Sequence, residues 1–321
     1  MWWSPNRGVK VFRASDRQCW KHGYETDDAH QCEFFTGPNS TEVNVPQHTS
    51  KGTMEVWNQN PVDGVEILIV TYRKDFPWLE YALRLIRKHA PGFQGVTVAV
   101  PTQDRAMAAQ VIDRVDIIAR LVDYPEPEGK GFLNHEAMMA RADELVPAGT
   151  RYVFHMDADC MMKMPNDVRH YFLNDKPIYI YRTWESLIST DPRDPTQKVV
   201  SDCMMWKAPT EEQIGYISNQ YTMCRHPTVF PIEFYRMYRE HIEGVHRTSF
   251  MQYMLSGLHN SHPQDRMDYT AMGQVAYTFM KDHFEWINCH NADYPADRMK
   301  AYHSHSGFNP QVTSEIESFL A

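Results

Sequence analysis

Two aspartates two positions apart, Asp157-Ala158-Asp159, close a short apolar run in this chain. Tyr152, Val153 and Phe154 before them suit a buried strand and are too few for a helix. In an open α/β sheet ligands gather outside the carboxyl ends of the strands, and the carboxylates stand at that end. There they can share a hard divalent cation, Mg2+ or Mn2+, whose remaining positions go to water and to substrate phosphate oxygens. That is a metal–diphosphate site in outline. Asp-x-Asp occurs by chance in any acidic chain, so its weight comes from what surrounds it.

Other residues have metal or phosphate chemistry within reach. His303 and His305 in Tyr302-His303-Ser304-His305-Ser306-Gly307 point the same way if extended, and neutral imidazole is a common metal ligand. Cys19 and His22 with His30 and Cys32 could hold tetrahedral zinc, although their spacing matches no zinc-finger pattern. Ordinary scattered Cys and His are the commoner explanation. Lys130 in Gly129-Lys130-Gly131 lies at the start of an expected helix. Backbone and ammonium could meet a phosphate there, but the spacing is not that of a P-loop.

The elements that would carry these residues begin at Val65–Tyr72, a near-continuous apolar run suited to a strand covered on both faces. Leu79, Ala82, Leu83, Leu85 and Ile86 then recur at helical spacing, and Pro91-Gly92 stops the helix. A strand at Val96–Pro101, a helix over 104–114 and a strand over 117–123 follow. This alternation is the signature of a parallel, doubly wound sheet. A helix over 132–145 leads to the Asp-x-Asp strand, and Pro177–Arg182 reads as another strand. Residues 184–202, rich in Asp and Pro, are expected to be a mobile irregular segment, with Trp206 beyond them able to stack on a sugar or base. Helices are expected over 232–245 and from the stretch Arg266–Gly273 to about Lys281.

At 321 residues and 37.6 kDa the chain can hold one elaborated α/β domain. We expect an irregular amino-terminal extension over 1–63 and the main domain over 64–321. Net charge −9 and a pI near 6.0 give no overall pull towards nucleic acid. The extension alone is basic near its start, with Arg7, Lys10, Arg13, Arg17 and Lys21. No stretch approaches the roughly 18 apolar residues of a membrane span. The amino terminus lacks the apolar core of a signal peptide, so a cytoplasmic protein is expected. Six scattered cysteines fit free thiols better than a disulfide framework.

The strand pattern, the Asp157-Ala158-Asp159 pair, the Asp268-Tyr269-x-x-x-Gly273 element and the His303/His305 pair together resemble a GT-A fold glycosyltransferase. More narrowly, Ile67–Asp75 and the order of later elements look like poorly characterised bacterial and phage-encoded members. The resemblance spans about residues 65–307. It implies a metal-dependent enzyme that moves a sugar from a nucleoside-diphosphate sugar, UDP-sugar above all, to a hydroxyl acceptor in the cytoplasm, that of the host if the protein is phage-encoded. That acceptor could be a glycan, a small molecule, a protein or a hydroxymethylated pyrimidine in phage DNA. Thr71, Tyr72 and Asp104 would border the nucleotide, and Lys130, Asn134 and Arg141 would contact the donor. Asp157 would touch the ribose or a metal-bound water, Asp159 would ligate the metal, and His303 or His305 would complete its shell. Asp268 would face the acceptor and, in an inverting enzyme, take its proton. The alternatives are a nucleotidyltransferase or phosphatase, which also hold metal with paired Asp, and a sugar- or metal-binding protein without turnover.

Overall fold

All six residues of Val65–Val70 (β1) are buried, as a strand flanked on both faces must be. The computed structural model describes residues 9–10, 62–127, 131–191, 194–223, 228–256, 268–288, 298–302 and 307–321. Within them, β2 (Gly95–Pro101) pairs parallel with β1, and β3 (Arg120–Tyr124) pairs parallel with β2. On the other side β4 (Tyr152–His155) pairs parallel with β1. The sheet order is completed by Thr228–Pro231, antiparallel to β4. The result is the expected Rossmann-like, mostly parallel sheet.

Alternation along β1 divides the interior. Ile67 and Ile69 pack with α1 (Phe76–His89) and α2 (Arg105–Val115) through Leu79, Leu83 and Val111. Leu68 and Val70 face the opposite layer with Phe230, Phe234 and Met272. That layer contains α3 (Gly131–Met139), α4 (Ala142–Leu145), α6 (Ile232–His246), α7 (Phe250–Ser256) and α8 (Asp268–Phe279), with α5 (Lys207–Ile214) beside it. The expected single helix over 132–145 is two, because Arg141 N bonds to the Met138 carbonyl at 3.0 Å and tightens the chain into a turn.

Residues 184–202 are corrected more substantially. Trp184–Leu187 forms a 3-10 turn, and Ile188–Asp191 pairs antiparallel with Asp194–Val200. Trp184 and Leu187 are buried with Ile178, Ile180 and Tyr221, so apolar anchors outweigh the Asp and Pro residues. Val9–Lys10 pairs parallel with the second strand of this hairpin. No helix among the described residues is long and apolar enough to cross a membrane.

Residues 298–302 and 307–321 close the side of α1. Met299–Ala301 pairs antiparallel with Cys160–Met162. Phe308 packs on Trp78 at 4.3 Å between ring centroids. The last helix, α9 (Pro310–Leu320), ends against α1. There Lys88 Nζ donates to the Leu320 carbonyl at 2.7 Å, and the His89 imidazole bonds the Phe319 carbonyl at 2.8 Å.

One polar side chain interrupts β1. Glu66 is 2 % exposed and accepts from Thr97 Oγ1 at 2.7 Å. Burial pushes its carboxyl pKa up, while the Thr97 hydrogen bond and the Arg120 charge oppose that rise. A folded pKa above the unfolded value of about 4.3 means that the folded state binds the proton more tightly. The stability gained is complete below that unfolded value and is lost as pH rises through the folded pKa. Glu66→Gln keeps the shape and cannot ionise. It should unfold at higher urea concentration than the wild type at pH 8, with the difference shrinking towards pH 4. Equal midpoints at pH 8 would show that the carboxylate carries no burial penalty.

Candidate active site

The strand order reverses at β1: the chain steps outward to β2 and β3, then crosses to β4 on the other side. Such a switch point leaves a crevice outside the carboxyl ends of the two strands where the direction changes. Thr71 and Tyr72 follow β1 into that crevice, and Met156 and Asp157 follow β4. Met156 N still bonds to the Leu68 carbonyl at 3.1 Å, so the ladder holds up to the residue before Asp157.

Asp157, Ala158 and Asp159 make a turn closed by Cys160 N bonding to the Asp157 carbonyl at 3.0 Å. The turn puts both carboxylates and the Cys160 thiol within 4.8 Å of one another. Both carboxylates are half-buried, whereas Cys160 is buried. Burial, then the Asp157 and Asp159 charges, push the thiol pKa well up. A neutral thiol with two carboxylates leaves oxygen as the available donor, and that set suits a hard ion such as Mg2+ or Mn2+.

Three further side chains converge here. Tyr269, second residue of α8, is 5 % exposed and donates from its hydroxyl to Asp157 Oδ1 at 3.4 Å. The Tyr72 hydroxyl is pushed up to about 12, by burial first and then by the Asp75 and Asp159 charges, so it remains a neutral donor. Its ring stands edge-on to His135 at 6.5 Å. Burial lowers the His135 pKa against the opposing pull of Asp157, which keeps the imidazole neutral. His135 Nδ1 is buried and has no partner among the described residues.

The remaining expected residues are placed as follows. Thr71 N bonds to the Ala99 carbonyl at 2.9 Å, while its Oγ1 is buried without a partner among the described residues. Asp104 accepts from Arg73 N at 3.0 Å, which ties the turn after β1 to the turn after β2. Asn134 donates to the Pro125 carbonyl at 3.1 Å and so anchors α3 to the loop after β3. Arg141 is held by Glu144, its Nε at 3.0 Å. Asp268 opens α8, but its side chain lies outside the described residues. Lys130, His303, His305 and the Cys19, His22, His30, Cys32 set also lie outside them. Tyr302 N bonds to the Asp159 carbonyl at 2.9 Å, so the described chain reaches the carboxylate turn one residue before His303.

Sequence reasoning missed His135 and Tyr269. His135 had a usable signal as an imidazole flanked by Asn134 and Glu136 within Gly131–Met139, whose other residues are Gly or apolar. Tyr269 stood in the Asp268-Tyr269-x-x-x-Gly273 element, but nothing there pointed to its tie to Asp157, which joins residues 112 positions apart.

No protein-family model and no curated protein matches the chain. Among solved structures it is similar to a 4-diphosphocytidyl-2C-methyl-D-erythritol synthase from Anaerococcus prevotii, at 10% identity over 80% of this chain and 95% of that one, with a TM-score of 0.39. It is also similar to an inositol-1-phosphate CTP transferase from T. maritima, at 9% identity over 79% and 95%, with a TM-score of 0.43. Both are nucleotidyltransferases, and neither is a glycosyltransferase or linked to phage. The expectation of a UDP-sugar glycosyltransferase is corrected, since neither of these structures is one, and likeness at this level carries no activity to the chain. The physical reason for the error is plain. Paired carboxylates at a strand end hold a metal against nucleotide phosphates whichever bond is then broken, so the motif carries no information about a sugar.

Proposed function

We propose that this protein is a metal-assisted nucleotidyltransferase. It binds a nucleoside triphosphate in the switch-point crevice and passes the nucleotidyl group to an acceptor oxygen. The bond from that oxygen to the α-phosphorus forms as the bond to pyrophosphate breaks, and pyrophosphate leaves with the electron pair. The observation that supports metal-assisted nucleotide binding there is the half-buried pair Asp157 and Asp159 at the carboxyl end of β4, where an open α/β sheet takes its nucleotide.

Asp157 and Asp159 would hold the ion, which when bound neutralises charge on the phosphates and polarises the phosphoryl oxygen. Thr71, Tyr72 and Asn134 border the nucleotide in this proposal, with Asp104 bracing the loops beneath it and Lys130 available to the phosphates. The neutral His135 and Tyr72 offer hydrogen bonds without adding a charge of their own. His303 or His305 would supply a further ligand, since Tyr302 is bonded to Asp159. Asp268, at the start of α8, would face the acceptor.

Thermal unfolding with each of the four common nucleoside triphosphates, with and without Mg2+ or Mn2+, tests this directly. Nucleotide and metal together should protect where neither does alone, by about 2.7 kcal/mol at about 100 times the dissociation constant. The protecting nucleotide should then give pyrophosphate in an acceptor screen of sugar phosphates and alcohols. Failure of every triphosphate to protect with either ion would remove the proposal.

A further inference from the structure

We propose that Tyr269 is the positioning residue of the carboxylate pair, holding Asp157 in the orientation that lets it share an ion with Asp159. This rests on the metal-site proposal above and extends it to a residue outside the coordinating set. An ionised carboxylate only accepts hydrogen bonds, so the Tyr269 hydroxyl, 3.4 Å from Asp157 Oδ1, is the donor. Occupying one oxygen from the protein side leaves the other to turn towards Asp159. Carboxylates that bind metals are commonly oriented in this way by a second group. The distance exceeds the about 2.5–2.7 Å usual for hydroxyl–carboxylate bonds, so the bond is a long one.

The ring has the rigidity that such a role needs. It stands edge-on to the buried His155 at 5.9 Å and 85°, and His155 Nε2 is bonded to the Tyr235 hydroxyl at 2.6 Å. The first turn of α8 is fastened from outside the helix. Tyr179 Oη donates to the Tyr269 carbonyl at 3.3 Å, and Thr222 Oγ1 donates to the Thr270 carbonyl at 3.0 Å. Tyr269→Phe keeps the ring and removes only the hydroxyl that donates to Asp157, which makes it the probe of choice.

Mn2+ uptake by the full chain, followed as loss of the free-ion paramagnetic resonance signal, separates the possibilities. Tyr269→Phe should raise the Mn2+ dissociation constant about 10–100-fold, with a metal-free unfolding midpoint near that of the wild type. In an Asp157→Ala background the same change should add nothing, because the acceptor of that bond is already gone. Wild-type Mn2+ affinity in Tyr269→Phe, whether or not its stability falls, overturns the inference and leaves the tyrosine a packing residue. A further loss in the double variant overturns it too. If the wild type takes up no more Mn2+ than Asp159→Ala, the metal site itself is refuted, a result distinct from either of these.

Discussion

Asp159→Ala is expected to lower nucleotidyl transfer by about 10³-fold or more, and to abolish the metal dependence of nucleotide binding. Removing a single preorganised electrostatic contact from an active site costs about 10²–10³-fold, and loss of a ligand takes the contribution of the whole ion with it. The fold should survive. The Asp159 contact that shapes the chain is its backbone carbonyl, which accepts from Tyr302 N at 2.9 Å and is untouched by the substitution. Single-turnover pyrophosphate release at saturating nucleotide, together with the metal-free unfolding midpoint, measures both halves. Turnover above about a tenth of wild type with an unchanged midpoint would exclude Asp159 as a ligand.

Gly273→Ala should destabilise the protein by about 2–3 kcal/mol although it adds one methyl group. A Cβ at Gly273 would stand 2.5 Å from Thr222 Cβ, from Thr222 Oγ1 and from Tyr179 Oη. Neither neighbour can swing aside freely, because both hydroxyls are bonded to carbonyls in the first turn of α8. Relief therefore means moving the helix or breaking those bonds. Overpacking costs about 1–3 kcal/mol and each lost hydrogen bond about 0.5–1.5 kcal/mol. The better helix propensity of alanine returns about 1 kcal/mol. Urea midpoints give the stability, and Mn2+ uptake should fall as well, since a displaced α8 carries Tyr269 away from Asp157. A wild-type midpoint would show that the helix has space where the structure places contact.

The fold was readable wherever burial and periodicity coincide. Val65–Val70 and Val96–Pro101 are continuous apolar runs, and Leu79, Leu83 and Ile86 mark one face of a helix, so these elements and the doubly wound layering followed from local pattern. The hairpin at 188–200 did not follow, because its stability comes from burial of Trp184 and Leu187 against a distant strand rather than from its own composition. Thr228–Pro231 is short and ends in proline, and a strand of that kind is recognisable only through its pairing with β4. At the site the two aspartates were evident because turn and strand are contiguous. Tyr269 and His135 reach them from other elements, and no spacing records that. Gly273 was noticed as part of a family-like element, whereas its described role is to let α8 approach Thr222 and Tyr179.

The pairing of Met299–Ala301 with Cys160–Met162 bears on how the molecule is made. A ribosome delivers β1 to β4, α1 and both aspartates well before residues 298–321, and larger domains fold through intermediates with uncovered apolar surface. Trp78 lies 5.5 Å from Tyr302 and 4.3 Å from Phe308 between ring centroids, and these late-made rings are part of its cover. A nascent chain that has formed the sheet by then would lack two of the rings that cover Trp78, and the carboxylate turn would lack the strand that braces it.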